Sequence, residues 1–114
     1  LKLVNQDTGE TIAMKVMQAH TFFRRLRGLL FTQQLSQGTG LHIKPCRSVH
    51  TYMMGYAIDV LHLDAQSRVV GFQEHLPPGR IGAAIKNTAS VVELPAGCIL
   101  RTRTAVGQTV QFLE

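Results

Sequence analysis

The sequence predicts a mainly β (α+β) domain, a small and mostly antiparallel β-barrel or rolled sheet with one short helix. Three observations predict it. Seven short segments read as strands and one as a helix. Turn signals recur roughly every 8–12 residues, the spacing of small barrels and sandwiches. Strands and helices do not alternate, so a doubly wound parallel sheet does not fit.

Residues 1–4 and 11–18 read as two strands around the turn-rich Asn5-Gln6-Asp7-Thr8-Gly9-Glu10. In the second, Ile12, Met14 and Val16 alternate with Thr11, Ala13 and Lys15, which predicts one buried and one mostly wet face. Thr21 is positioned to cap a helix over 21–31, on which Phe22, Leu26, Leu29 and Leu30 form one apolar stripe. Arg24 lies opposite the stripe, with Arg25 and Arg27 towards its flanks. So short a basic helix, followed by strand signals, is expected to dock on a sheet rather than lie on a membrane. Strands follow at 41–44, 58–63, 69–76, 90–94 and 109–112, with an irregular apolar stretch at 48–54. Ala65-Gln66-Ser67-Arg68 and Pro95-Ala96-Gly97 read as turns, and Pro77-Pro78-Gly79 opens an exposed loop through about Asn87.

One domain over 1–112 is all that 114 residues predict, with the closing Leu113-Glu114 read as a candidate cloning scar. Apolar residues make up 45% and charged residues 17%, an ordinary globular mix with no disordered segment. No apolar run is long enough to span a membrane, and no signal peptide opens the chain. A cytoplasmic location is expected; because the chain opens at Leu1, an exported mature domain stays open as the alternative. The net charge of +5 favours acidic partners in general, but nothing resembles a zinc finger, an aromatic-basic RNA signature or a long basic helix. Cys46 and Cys98 are expected to be reduced, although a single bridge between them stays open.

Candidate chemistry gathers between Pro45 and Asp59. In Ile58-Asp59-Val60-Leu61-His62-Leu63, Asp59 shares a face with Leu61 and Leu63, and His62 shares one with Ile58 and Val60. Both faces look partly buried, so Asp59 needs a cation or several donors: Arg27, His50 or backbone N–H groups. Capping or pinning the preceding loop is the expected structural role. Glu93 falls on the Val91 face, opposite Val92 and Leu94, and is expected either in solvent or beside an arginine. Cys46, Ser48 and His50 share a face if extended, and a thiol beside an imidazole is the minimum for a nucleophilic cysteine. The other histidines offer no ligand spacing for zinc, and Gly79-Arg80-Ile81-Gly82 lacks the strand-to-helix context of a phosphate loop. Of Met53 and Met54, one is expected in the core and one at a pocket or the surface.

With these residues in hand, the chain resembles the family known as domain of unknown function 192 (DUF192), of the UPF0127 type. The resemblance rests on Arg24-Arg25-Leu26-Arg27-Gly28-Leu29-Leu30, Gly40-Leu41, Pro45 through Thr51, Met54, and Ile58-Asp59-Val60 with Leu63-Asp64. Val69-Val70, Pro77-Pro78-Gly79-Arg80 and Val92-Glu93-Leu94-Pro95-Ala96-Gly97 complete it. Two departures stand out: Gly55-Tyr56-Ala57 where the family carries a basic or polar residue after the methionine, and Gly107-Gln108 in place of its Gly-Asp turn. The resemblance implies a compact, largely β domain and no reaction.

The function expected is a non-enzymatic binding module for a small polar ligand or a peptide, with Arg27, His50, Met54, Asp59 and Glu93 as ligand-binding residues. The alternatives are a protein-interaction or assembly factor using the 77–87 loop and the helix, and an enzyme using Cys46, His50 and Asp59. No metal, cofactor, nucleic-acid or membrane partner is expected, and the chain is expected to act as a monomer.

Overall fold

The structure is a computed structural model that describes residues 1–19, 35–52 and 54–114. The helix expected over 21–31, with Arg27, lies outside the described residues. Among the described residues, eight strands form two sheets: β1 (Lys2–Asn5), β2 (Thr11–Ala13), β3 (Lys15–Ala19), β4 (Thr39–Ile43), β5 (Ile58–Leu63), β6 (Val69–Leu76), β7 (Ser90–Pro95) and β8 (Val110–Leu113). One short helix, α1 (Cys98–Arg101), lies between β7 and β8. The smaller sheet has the order β2-β1-β8 and the larger β3-β4-β7-β5-β6. Every pairing is antiparallel except β3 with β4. The sheets are rolled against each other and, among the described residues, do not close into a barrel.

The roll begins at Met14. The expected strand over 11–18 splits there into β2 of one sheet and β3 of the other, and the Met14 and Lys15 N–H groups both donate to the Gly38 carbonyl. Ile12 and Val16 are buried as expected, but Met14 is 65% exposed and Ala13 is buried. A strand that turns a corner between sheets rotates its side chains out of simple alternation, which is why Met14 departs from the pattern.

The larger sheet is covered on both faces. Leu61, Leu63, Val92 and Leu94 pack against Leu3, Ile12 and Val110 of the smaller sheet and against Cys98 and Ile99 of α1. On the other face Ile58, Val60 and Val91 pack with Leu41, Ile43, Val49 and Met54. The central strands β5 and β7 are therefore buried at every residue. Full burial on both faces dictates the near-continuous apolar runs in these strands. It also makes each polar residue in them, Asp59, His62, Ser90 and Glu93, one that requires a partner.

Candidate functional site

Asp59 sits within β5 with its side chain fully enclosed. Its Oδ1 accepts the His75 N–H and its Oδ2 the Ile99 N–H, each at 2.9 Å. Both donors need it for a reason visible in the backbone. Between Ile58 and Val60 the β5–β6 register slips by one residue, a bulge that sets His75 at φ 51°. At α1 the N-cap is Gly97, which has no side chain to cap with, so the carboxylate from β5 supplies the missing acceptor. Asp59 thus joins the β6 bulge to the start of α1. Of the partners considered from sequence, backbone N–H groups hold both of its oxygens.

Residues 46–52 run beside loop 77–89 and are fastened to it repeatedly. The Cys46 N–H donates to the Ala89 carbonyl, the Ser48 hydroxyl to the Gly82 and Ala83 carbonyls, and the Gly82 N–H to the Val49 carbonyl. Thr51 is the tightest fastening. Its hydroxyl donates to the Pro77 carbonyl at 2.6 Å and accepts the Arg80 N–H at 2.9 Å. Its carbonyl accepts the Gly79 N–H, and its own N–H donates to the Arg80 carbonyl. Gly82 has to be glycine-sized here, because a Cβ would come within 2.9 Å of the Val49 carbonyl oxygen.

The Cys46 thiol donates to the Ser48 carbonyl at 3.0 Å. His50 is exposed and stacks on Tyr52, ring centroids 5.0 Å apart. Cys46 and Cys98 are free thiols. Met54 packs in the core, and Glu93 is buried on the Val91 face with Leu41 and Val60 opposite it in the ladder. The solvent alternative for Glu93 does not hold: the second face of the sheet is covered too. Among the described residues no group of three His, Cys, Asp or Glu side chains comes together to hold a metal, and no helix is long and apolar enough to cross a membrane.

His62 is a polar residue that sequence reasoning assigned to a face but to no role. The Thr88 hydroxyl donates to the Ile85 carbonyl at 2.7 Å, so it accepts from His62 Nδ1–H at 2.9 Å. That leaves Nε2 as a buried lone pair with no partner among the described residues. Burial holds the imidazole pKa below its ordinary 6.5. The ring supports the loop from beneath, and Ile85 closes over Gly71 beside it.

Two concavities flank the fastened segment. One, of 270 Å³, is lined by Ser48, Val49, His50, Tyr52 and Ile81. The other, of 610 Å³, is lined by Arg47 and residues 84–88.

The profile of one family, described as "Uncharacterized ACR", matches residues 3–112. The chain belongs to the DUF192 family. Within it, the chain is similar to a UPF0127 protein of Thermococcus sibiricus, 28% identical across 96% of this chain and 73% of that one. A UPF0127 protein of Thermococcus kodakarensis is 27% identical across 96% and 72%. A solved protein of unknown function from Novosphingobium aromaticivorans superposes with a TM-score of 0.78 at 16% identity, over 97% of this chain and 82% of that one. At that identity the likeness is one of fold. One of the two departures from the family pattern has a structural account: at Gly107-Gln108 the Gln108 Oε1 accepts both the Ala105 N–H and the Asn5 Nδ2–H, so the longer side chain ties this turn to buried Asn5.

Proposed function

We propose that the protein is a monomeric, non-enzymatic binding module of the cytoplasm that takes a small polar ligand or a peptide across the face built by residues 46–52 and the 77–88 loop. The observation that carries this reading is an aromatic and apolar groove held open by backbone fastenings. Tyr52 is 45% and Ile81 70% exposed, His50 is stacked on Tyr52, and the His50–Ile81 bridge joins the two walls. Large side chains displayed on a rigid frame lose little entropy on binding, which is what a recognition surface needs. His50 contacts ligand in this reading, while Asp59, Met54 and Glu93 hold the frame from inside. An enzymatic role for Cys46 would want its thiol on the His50 imidazole; the thiol donates to the Ser48 carbonyl. Free Cys46 and Cys98 suit a reducing compartment.

The test is a thermal-shift screen of metabolites, glycans and displayed peptides, followed by Tyr52→Ala and His50→Ala. A ligand at 100 times its Kd stabilises by about 2.7 kcal/mol, enough to raise Tm by roughly 5 °C or more. Both variants should retain the unliganded Tm and lose most of the gain. No shift across the panel, or a shift indifferent to both variants, sinks the proposal.

A further inference from the structure

The second concavity differs from the groove in chemistry. Its lining supplies Arg47, Lys86, the Asn87 amide and the Thr88 hydroxyl beside Ala84 and Ile85, and no acidic residue. Of the other cations, Arg68 approaches Asp64 at 4.0 Å and Arg101 donates to Gln37, while Lys2, Lys15, Arg80 and Arg103 share no cleft with a second cation among the described residues. Arg47 and Lys86 form neither an ion pair nor a hydrogen bond with any described residue, nor do the backbone N–H groups of Ala84, Ile85, Lys86 and Asn87 donate to one. The Thr88 hydroxyl is already engaged with Ile85 and His62. The side chains that line this cleft thus bring two charged donors and no carboxylate.

Both cations are mounted on anchored backbone. Arg47 lies between Cys46, tied to Ala89, and Ser48, tied to Gly82 and Ala83. Lys86 lies in the turn closed by the Thr88 N–H and hydroxyl on the Ile85 carbonyl, which His62 supports from the core. The Ala89 N–H then fixes the end of the turn to the Leu63 carbonyl of β5. The two stems are thus brought to one cleft before any ligand arrives.

We propose that the cleft between Arg47 and Lys86 is an oxyanion site, taking the carboxylate or phosphate group of a small ligand. A donor-rich lining with two unpaired cations attracts and orients an oxyanion and repels a cation. The planar guanidinium of Arg47 can bind two oxygens at once, while Lys86 acts as a point charge. The inference rests on the binding-module reading and adds a ligand chemistry to it: the anion sits here and the rest of the ligand extends over Ser48 towards Tyr52.

The experiment follows backbone amide resonances of the 15N-labelled full chain during separate titrations with inorganic phosphate and with acetate, against sodium chloride at matched ionic strength. Saturable shifts confined to Arg47 and residues 84–88 are expected in one or both oxyanion arms and not in chloride. The arm that saturates identifies the group. In the Arg47→Gln, Lys86→Gln double variant, whose sites are both exposed, affinity should fall by about tenfold or more with the remaining spectrum unchanged. Shifts that stay linear and match chloride overturn the proposal, as do saturable shifts that survive in the double variant. If both oxyanion arms fail while a screened ligand still binds in a Tyr52-dependent way, the oxyanion site falls and the module reading stands. If the screen fails as well, both fall.

Discussion

Replacing Asp59 with alanine removes an acceptor from two backbone N–H groups at once. The Ile99 bond is buried, so its N–H is left dry; the His75 bond is part-buried, and water can reach its donor. A buried orphan costs about 1–3 kcal/mol, and a hydrogen bond to a charged acceptor contributes about 1.5–3. Counting the dry donor near the top of its range and the wet one near the bottom gives a loss of about 3–5 kcal/mol. That is a large share of the roughly 5–15 kcal/mol that stabilises an ordinary domain. Urea unfolding with an m-value of about 1.5 kcal/mol/M should show the midpoint falling by roughly 2–3 M. Asp59→Asn keeps one acceptor and turns an amide N–H₂ on the other donor, so it should lose less, about 1–3 kcal/mol. Amide exchange locates the damage: the Ile99 and His75 N–H groups should lose protection before the core of β7 does. A loss under about 1 kcal/mol for Asp59→Ala would refute the account of Asp59 as the joint between the β6 bulge and α1.

Three further outcomes follow from the same geometry. The His62 pKa is lower folded than unfolded, so the unfolded chain binds the extra proton; stability should hold above pH 6.5 and decline below it, and His62→Gln should flatten that part of a urea-midpoint profile. Cys98 is buried and its thiol pKa raised, first by burial, with Asp59 adding and Arg101 opposing; in iodoacetamide at pH 8 Cys46 should react first and Cys98 at the rate of unfolding. The sign for stability is the reverse of that for His62: the Cys98 contribution is complete below pH 9.0 and lost as pH rises above it. Thr51→Val removes a buried hydroxyl from the Pro77 carbonyl and the Arg80 N–H, and should cost about 1–3 kcal/mol while raising amide exchange across loop 77–82.

Much of this fold was legible because the central strands carry strong local signals. Strands β5 and β6 fall at the expected 58–63 and 69–76, each bounded by turn residues, and parity correctly separated Asp59 with Leu61 and Leu63 from Ile58 and Val60. Two things had no local signal. The helix α1 is four residues long, too short for a 3.6-residue period to register, and its cap comes from Asp59, 40 positions away in sequence. The break at Met14 is fixed by the Gly38 carbonyl, a tertiary partner. In the site, parity read Asp59 as buried but could not choose among its partners. The His62–Thr88 contact spans 26 positions, and nothing in either neighbourhood announces it.

The stretch from Pro45 to Asp59 therefore divides into inward and outward residues with different work. Thr51 and Asp59 face polar backbone that the fold would otherwise leave unsatisfied, so their chemistry is required by the architecture whatever the protein binds. Arg47, His50 and Tyr52 are exposed on the same stretch of chain. The inward residues hold the backbone rigid, and that rigidity gives the outward ones fixed positions; a surface that recognises a ligand gains affinity from being built before the ligand arrives.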